Sequence, residues 1–225
     1  MIKNIDNIVL TAISGNEKYL RDTIKAVEYS SKDVRFPYTQ ILSNIKFNHD
    51  YIKCVEIPPI NSSLEYSDFC VLHLHKYIDK DFMFLIQYDG FILDINKWKD
   101  EFLDYDYIGA PWPEFWCYYE VNPPITHSTR VGNGGCCIRS RKLLQLTPHI
   151  CDIYSLHEPI EDAFICRTYK SLFEKLGCKF APIELAADFS IEHEIEERPG
   201  QSNYKGNLES MCFHGAWSVY RRLLE

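Results

Sequence analysis

Short apolar runs alternate with amphipathic segments through the first part of the chain. Ile8–Ile13 is rich in β-branched residues and ends in the turn sequence Ser14-Gly15-Asn16, which predicts a buried strand. Apolar residues then recur at helical spacing and predict a helix over residues 17–29. Further strands are predicted at residues 38–42, 51–57 and 82–86, and a second helix at residues 64–77. Strands separated by helices predict an α/β fold with a mostly parallel sheet flanked by helices.

The second half of the chain is less regular. Residues 98–131 form a proline-punctuated stretch rich in Trp, Tyr and Phe, which is not typical of a flexible linker. A glycine-rich segment, 132–135, precedes an apolar run, and a basic helix start is predicted at Arg139–Lys142. The clearest helix is predicted from Glu158 to the stop at Gly177, because a proline and acidic residues suit its first turn. Residues 193–209 are polar and predict a mobile loop.

Length, composition and charge narrow the possible classes of protein. The chain has 225 residues, which favours one domain with a long loop or tail, given about 150 residues per domain. With 46% hydrophobic and 25% charged residues, it is not disordered over most of its length. The formal net charge of −8 argues against a nucleic-acid partner, because phosphate backbones are bound by clustered basic residues. It does not exclude one small phosphate site.

Targeting signals and cysteine usage point to an intracellular protein. No segment approaches the roughly 20 apolar residues of a membrane span, and the first apolar run is too short for a secretory signal. The 9 cysteines are odd in number and include no Cys-x-x-Cys pair, which favours reduced thiols over disulfides or a zinc site. We therefore expect the protein to work in the cytoplasm, with no membrane span.

A candidate ligand-binding aspartate follows the predicted strand at residues 82–86. Asp89 lies in Gln87-Tyr88-Asp89-Gly90, at the carboxyl edge of the sheet where α/β proteins bind ligands. A carboxylate there is costly unless it meets water, a donor or a cation, and a divalent cation bridging two phosphates is one use for it. The alternative is an ordinary turn aspartate before a glycine.

Gly132-Asn133-Gly134-Gly135 is a second candidate. Several glycines in a row permit positive φ angles and the close approach of a ligand to the main chain. The segment does not match the glycine spacing of phosphate-binding or dinucleotide-binding loops. A tight turn between aromatic elements is the competing interpretation.

Glu161, Asp162 and His214 are the remaining candidates. The two carboxylates lie at a predicted helix start, where the positive end of the helix favours the ionised form, so at least one should be a competent general base. Simple helix capping explains them as well. His214 lies between an apolar run and a glycine and is either a ligand or a hydrogen-bonded core residue.

Five segments occur in a characteristic order along the chain. They are Gln87-Tyr88-Asp89-Gly90, Asp106–Trp112, Gly132–Gly135, Glu161-Asp162 and Phe213-His214-Gly215. In this order they resemble a glycosyltransferase-like family known as a domain of unknown function, and more broadly the GT-A superfamily. The resemblance covers residues 5–217, and its second and third segments are the most specific.

The resemblance implies a GT-A-like, Rossmann-type domain over residues 1–225. Its nucleotide-sugar half would span about 1–95, and its acceptor and catalytic half about 96–225. Asp89 matches the last aspartate of the superfamily's metal-binding Asp-x-Asp motif, and His214 matches the histidine that completes the site for Mn²⁺ or Mg²⁺. Gln87 stands where the first aspartate would be. An amide brings no charge, so this departure bears on how tightly, or whether, the site holds a metal.

The resemblance also implies roles for other residues. Asp162 matches the general base of inverting members, and Glu161 completes the catalytic pair as an acceptor or structural neighbour. The residues expected to bind donor or acceptor are Gln87, Asp89, Gly90, Trp112, Asn133, Gly134 and Gly135. Trp112 and Trp116 are candidates for packing on sugar faces, and packing into the core is the alternative for both.

The activity implied is transfer of a sugar from a nucleoside diphosphate sugar to a hydroxyl of a glycan or other acceptor, with inversion. UDP is the donor nucleotide that the superfamily uses often. A non-catalytic carbohydrate-binding or assembly module is the alternative, motivated by Gln87. A nucleotidyltransferase is a third, although the chain has no lysine-rich phosphate loop. We expect residues 194–207 to close over donor or acceptor.

Overall fold

The computed structural model describes residues 2–114, 126–154, 160–202 and 209–215. The strands are β1 Lys3–Asn4, β2 Ile8–Ser14, β3 Val34–Arg35, β4 Thr39–Ser43, β5 Ile52–Glu56, β6 Phe82–Ile86, β7 Gly90–Ile92, β8 Tyr107–Gly109, β9 Cys136–Ser140, β10 Ser190–Ile191 and β11 Cys212–His214. The α-helices are α1 Glu17–Ser31, α2 Ser63–Leu72, α3 Arg141–Tyr154, α4 Glu161–Ala163, α5 Lys170–Lys175 and α6 Ile183–Phe189. Short 3₁₀ helices lie at Leu74–Tyr77, Ile95–Lys97, Asp100–Asp104 and His127–Thr129, and a π-helical turn lies at Phe164–Thr168.

A six-stranded sheet with the order β5-β4-β2-β6-β9-β8 forms the centre of the molecule. Its first four strands are parallel, and β9 runs antiparallel to both β6 and β8. All seven residues of β2 are buried, as expected for a strand covered on both faces. The predicted mixed α/β architecture with a mostly parallel sheet is therefore confirmed, and the four strands predicted in the first part of the chain are all present.

Helices cover both faces of this sheet and produce two hydrophobic cores. Alternate strand residues point to opposite faces, so Leu10 packs in the core beneath α1 and α6, whereas Val9 packs in the core beneath α2, α3 and α5. Arginine and glutamate are rare in such layers unless paired. Arg139 and Glu161 are both buried and form such a pair.

A second, three-stranded sheet has the order β10-β11-β7. β11 pairs in parallel with β10 and antiparallel with β7, with His214 opposite Gly90. The chain leaves β6, passes through residues 87–89, and enters this small sheet at β7. Residues 87–89 therefore lie at the junction of the two sheets, beside the end of β11.

Two predicted helix boundaries are wrong. Arg139, predicted to open a helix, lies inside β9 opposite Met83, and α3 begins only at Arg141. The helix predicted from Glu158 to Gly177 is broken into α4, a π-helical turn and α5, with a positive φ of 83° at Gly177 after its end. One tertiary contact involves both places. Arg139 in β9 is buried against the carboxylate of Glu161 in α4, and the local sequence pattern does not show this contact.

Several predictions fall partly outside the described residues. Trp116, Glu158 and Pro159 lie there, as do residues 203–208 of the loop predicted at 193–209. The rest of that loop, 193–202, contains only turns and bridges. None of the described helices combines the length and apolarity that crossing a membrane requires. The cysteines in the described part of the chain are free thiols, and most of them are buried.

Candidate active site

A cleft of about 550 Å³ opens at the carboxyl ends of β2 and β6. Its walls come from the loop after β2, the start of α1, the N-terminal half of α2, the residues after β6, the glycine-rich loop before β9, and the start of α4. This is the edge at which α/β sheets hold ligands. Of the residues singled out from the sequence, the lining includes Gln87, Asn133, Gly135, Glu161, Asp162 and His214.

Gln87, Asp89 and His214 meet at one end of the cleft. His214 Nε2 lies 3.1 Å from Gln87 Oε1 and 3.5 Å from Asp89 Oδ1. Gln87 Nε2 donates a hydrogen bond to Tyr66 Oη at 3.1 Å, which turns the amide oxygen toward His214. The three side chains, separated by up to 127 positions in the sequence, therefore present two oxygens and one nitrogen to a common point.

The other face of His214 meets a residue that the sequence analysis missed. His214 Nδ1 lies 3.5 Å from Glu192 Oε1, and Glu192 Oε2 accepts a hydrogen bond from Asn133 Nδ2 at 2.5 Å. Burial lowers the pKa of His214, but the carboxylates of Asp89 and Glu192 outweigh burial and raise its pKa to about 10. Glu192 follows a strand of only two residues, β10, which carries no readable hydrophobic period.

The glycines of the 132–135 loop make room for protein side chains. A Cβ at Gly135 would overlap the His214 ring, and one at Gly132 would overlap the Trp112 indole. A Cβ at Gly134 would come within 2.7 Å of Glu161 Oε1. The glycines with positive φ in the described chain are Gly177, Gly200 and Gly215. The glycines of the 132–135 loop therefore do not adopt the positive φ angles that their sequence permits. Close packing of the site's own side chains, not backbone strain, requires these glycines.

Gly90 and Trp112, both expected to bind donor or acceptor, are not among the residues that line the cleft. Gly90 opens β7, and a Cβ there would lie 2.6 Å from the carbonyl oxygen of Gly135, so the two backbone segments can approach only because of the glycine. Trp112 is 7% exposed and packs in the core on the α2–α3 side of the sheet. Core packing, which the sequence left open as the alternative for Trp112, is the arrangement found.

Asp162 faces the cleft from the start of α4. Its Oδ2 accepts a hydrogen bond from the Gly134 N–H at 3.1 Å. Burial first, and then the negative charge of Glu161, raise the pKa of Asp162 from 3.8 to about 7, against the opposing effects of Arg139 and two backbone N–H groups. The helix start was expected to favour the ionised form of Asp162. Desolvation of the buried carboxyl group outweighs that effect, and α4 has only three residues.

Glu161 also lines the cleft, but its carboxylate forms a buried ion pair with Arg139. Its Oε1 lies 3.2 Å from Arg139 Nη2, and its backbone N–H donates to Ser67 Oγ at 3.3 Å. Arg139 is fully buried, and its guanidinium lies 5.5 Å from the Tyr107 ring centroid. The pair fixes the start of α4 against β9 and places a positive charge beneath the two carboxylates. The sequence predicts Arg139 at a helix start and not in β9, so it gives no sign of this ion pair.

The residues at the His214 end fit a divalent cation. Asp89 Oδ1 is buried and accepts no hydrogen bond within the described part of the chain, and its one charged neighbour there is His214 Nε2 at 3.5 Å. With Gln87 Oε1 and His214 Nε2 it forms an oxygen and nitrogen donor set that Mn²⁺ accepts. No three His, Cys, Asp or Glu side chains gather around a metal position in the described ranges, and Gln87 is therefore needed as the third donor.

Comparisons with known proteins agree with this architecture. The sequence model of a family described as "Protein of unknown function (DUF5672)" matches residues 45–214. No curated protein matches the sequence. Among solved structures, the galactosyltransferase LgtC in complex with donor and acceptor sugar analogues is similar, with a TM-score of 0.53, 14% identity, and coverage of 98% of this chain and 95% of that chain.

A second similar structure is a glycosyltransferase involved in glycosylation of the major capsid of PBCV-1. It has a TM-score of 0.53 and 11% identity, and the match covers 93% of this chain and 92% of that chain. An active-site mutant of LgtC matches with a TM-score of 0.52 and 15% identity, over 98% and 95% of the two chains. The chain therefore has the GT-A-like fold of these glycosyltransferases.

Gly135→Ala is expected to lower the free energy of unfolding by about 1–3 kcal/mol, because the new methyl group overlaps the His214 ring. Chemical denaturation of the purified protein measures this change. In a His214→Ala background the ring is absent, so the same substitution should cost clearly less. Equal costs in the two backgrounds would contradict the proposed overlap.

Proposed function

The chain belongs to the DUF5672 family of proteins of unknown function, and we propose that it is a glycosyltransferase. It would transfer a sugar from a nucleoside diphosphate sugar, with UDP as the first nucleotide to test, to a hydroxyl group of a glycan or other acceptor. The observation that carries this proposal is that one cleft is lined by Asp162, with a raised pKa, and by Gln87 and His214, while Asp89 lies just behind the lining, 3.5 Å from His214.

The charges around the cleft support a cation-assisted site. Among the lining residues in the described part of the chain, none is Lys or Arg. A nucleoside diphosphate brings at least two negative charges into a region that already holds Asp89, Glu192 and Asp162. A divalent cation would balance those charges. Manganese and magnesium are the cations proposed.

The cation would be held by Asp89, His214 and the amide oxygen of Gln87. When bound, it would supply electrostatic stabilisation of the charge that develops on the departing diphosphate. Tyr66 contributes indirectly, because its hydrogen bond to Gln87 Nε2 keeps the amide oxygen toward the site. Gln87 can therefore contribute an oxygen, although not a charge, in place of the first aspartate.

Asp162 is proposed as the general base. The acceptor hydroxyl oxygen attacks the anomeric carbon, the bond from that carbon to the diphosphate oxygen breaks with its electron pair on the oxygen, and the hydroxyl proton moves to Asp162. The hydrogen bond from the Gly134 N–H to Asp162 Oδ2 holds the carboxyl group in place at the cleft. A base with a pKa near the working pH is well matched to this task. Attack opposite the leaving group inverts the anomeric configuration.

The two proposed halves of the domain divide these tasks. Residues 1–95 contribute the loop after β2, α1, α2, Gln87 and Tyr88, which form the proposed donor side. Residues 96–225 contribute the glycine-rich loop, Asp162 and His214, which form the proposed catalytic and acceptor side. The donor's anomeric carbon would lie between them.

A non-catalytic carbohydrate-binding module on the same scaffold is the second candidate, and Gln87 in place of an aspartate favours it. Incubation with labelled nucleoside diphosphate sugars and Mn²⁺ separates the two. Release of free sugar or transfer to an acceptor supports the enzyme, whereas binding without any turnover supports the module.

Asp162→Asn is expected to lower the turnover number for sugar transfer by about 10²–10⁴-fold, because the amide cannot take the acceptor proton. Donor affinity should change little, since Asn can still accept the Gly134 N–H. Turnover and donor dissociation constants measure the two effects. The exposed Asp104→Asn is the matched control, and near-normal turnover in Asp162→Asn would refute the assignment of the base.

The rate of transfer should depend on the ionisation of Asp162. Because a general base acts when deprotonated, kcat/KM should fall about tenfold per pH unit below a pKa of about 7 and level off above it. A series of rate measurements between about pH 5.5 and 9 tests this. An inflection near the ordinary aspartate value, or a flat profile, would contradict it.

Removal of divalent cations should abolish transfer. EDTA is expected to reduce the rate to background, and excess Mn²⁺ or Mg²⁺ should restore it, because the cation balances the diphosphate charge. EDTA saturated beforehand with Mn²⁺ is the control for effects of the chelator itself. Full activity in EDTA would exclude the proposed cation.

A further inference from the structure

Glu192 lies in a partly buried position that neither the sequence pattern nor the proposed catalytic step uses. Its side chain is 15% exposed, and both oxygens are engaged at the His214 end of the cleft. Oε1 faces His214 Nδ1 at 3.5 Å, and Oε2 accepts the Asn133 amide at 2.5 Å. His193 Nε2 also lies 3.6 Å from Oε2.

Strand register places this carboxylate beside His214. In the parallel pair of β10 and β11, Ser190 lies opposite Cys212 and Ile191 opposite Phe213, so the next residue, Glu192, lies beside His214. On the other side of β11, the antiparallel register sets His214 opposite Gly90, next to Asp89. The imidazole is thus held between two carboxylates that approach different ring nitrogens.

The ring orientation has chemical consequences. A carboxylate facing Nδ1 of a histidine favours the tautomer with the proton on Nδ1 and raises the basicity of a ligating Nε2. In this structure Glu192 approaches Nδ1 at 3.5 Å as a charge contact, and Nε2 is the nitrogen that faces Asp89 Oδ1 and Gln87 Oε1. A half-turn of the ring about its Cβ–Cγ bond would exchange Nε2 with Cε1, so a carbon atom would face Asp89 and Gln87 instead.

A second anchor restrains Glu192 itself. The Asn133 side chain donates to Glu192, and its own Oδ1 accepts the N–H of Gly135 at 3.0 Å. Gly135 in turn leaves the space that the His214 ring occupies. The contacts therefore form a closed set in which the glycine-rich loop, Glu192 and His214 support one another.

We propose that Glu192 is a positioning residue that orients His214, so that Nε2, Asp89 and Gln87 bind a divalent cation. This inference rests on the cation site of the proposed function but not on sugar transfer. Its test therefore measures cation binding directly, with Mn²⁺ as the probe and no sugar donor or acceptor present.

Glu192→Gln is expected to weaken Mn²⁺ binding by about 10–100-fold, as found for other partners of metal-binding histidines. Free Mn²⁺ is counted by electron paramagnetic resonance during titration of the full chain. Glu184→Gln removes the same charge at an exposed position of α6 and should leave the affinity within twofold. Affinity within twofold of wild type in Glu192→Gln would overturn the proposal, as would a wild-type protein that binds no Mn²⁺.

A spectroscopic measurement separates positioning from a general structural role. In protein loaded with Cd²⁺, long-range ¹H–¹⁵N spectra of the histidine rings should report a proton on Nδ1 of His214 and the cation on Nε2. Glu192→Gln should lose this pattern, and Glu192→Asp, which retains the charge, should recover part of it and serves if the amide variant does not fold. An unchanged ring spectrum in both variants would overturn the proposal.

The outcomes for the two proposals are distinguishable. Mn²⁺ binding that depends on Glu192, in a protein that neither hydrolyses donor nor transfers sugar, would uphold the positioning role and reject the transferase. Transfer that proceeds in EDTA, together with a failure to bind Mn²⁺, would reject the positioning role and leave Asp162 as the proposed base.

Discussion

The arrangement of the cleft depends on the pairing of a three-residue strand, β11, between β10 and β7. This register places His214 between Asp89, at the junction of the two sheets, and Glu192, at the end of β10. A shift of one residue would turn the imidazole to the opposite face of the small sheet. The absence of side chains at Gly135 and Gly90 allows this strand and the glycine-rich loop to approach each other closely.

A second constraint is the buried pair of Arg139 and Glu161. A guanidinium without solvent is tolerated only with a partner, and Glu161 supplies it at 3.2 Å. The same contact holds the start of α4 against the sheet and so determines where Asp162 faces the cleft. The charge of Glu161 raises the pKa of Asp162 while Arg139 lowers it, and burial decides the outcome. Because the pKa of Asp162 is higher in the folded protein than its ordinary value of 3.8, this arrangement lowers the free energy of unfolding at pH values above 3.8.

Between these two constraints runs a continuous set of polar contacts. Asp89 and His214 lie at one end, Glu192 and Asn133 follow, and the Gly134 N–H reaches Asp162 at the other end. The proposed cation site and the proposed base are therefore held by the same loop. The 132–135 segment is thus the structural connection between the two proposed sites.

The sequence by itself determined four of the six strands of the central sheet, the first helix and the α/β class, because these depend on hydrophobic runs and periodicities that are local. It also identified Asp89, Asp162 and His214 as candidates, through the types and order of residues near predicted strand and helix ends. Only the tertiary structure decided the partners: Arg139 in a strand beneath Glu161, Glu192 beside His214, and glycines that accommodate side chains. Strands of two or three residues carry no readable period, and contacts between residues 22 to 127 positions apart arise only when distant segments pack together.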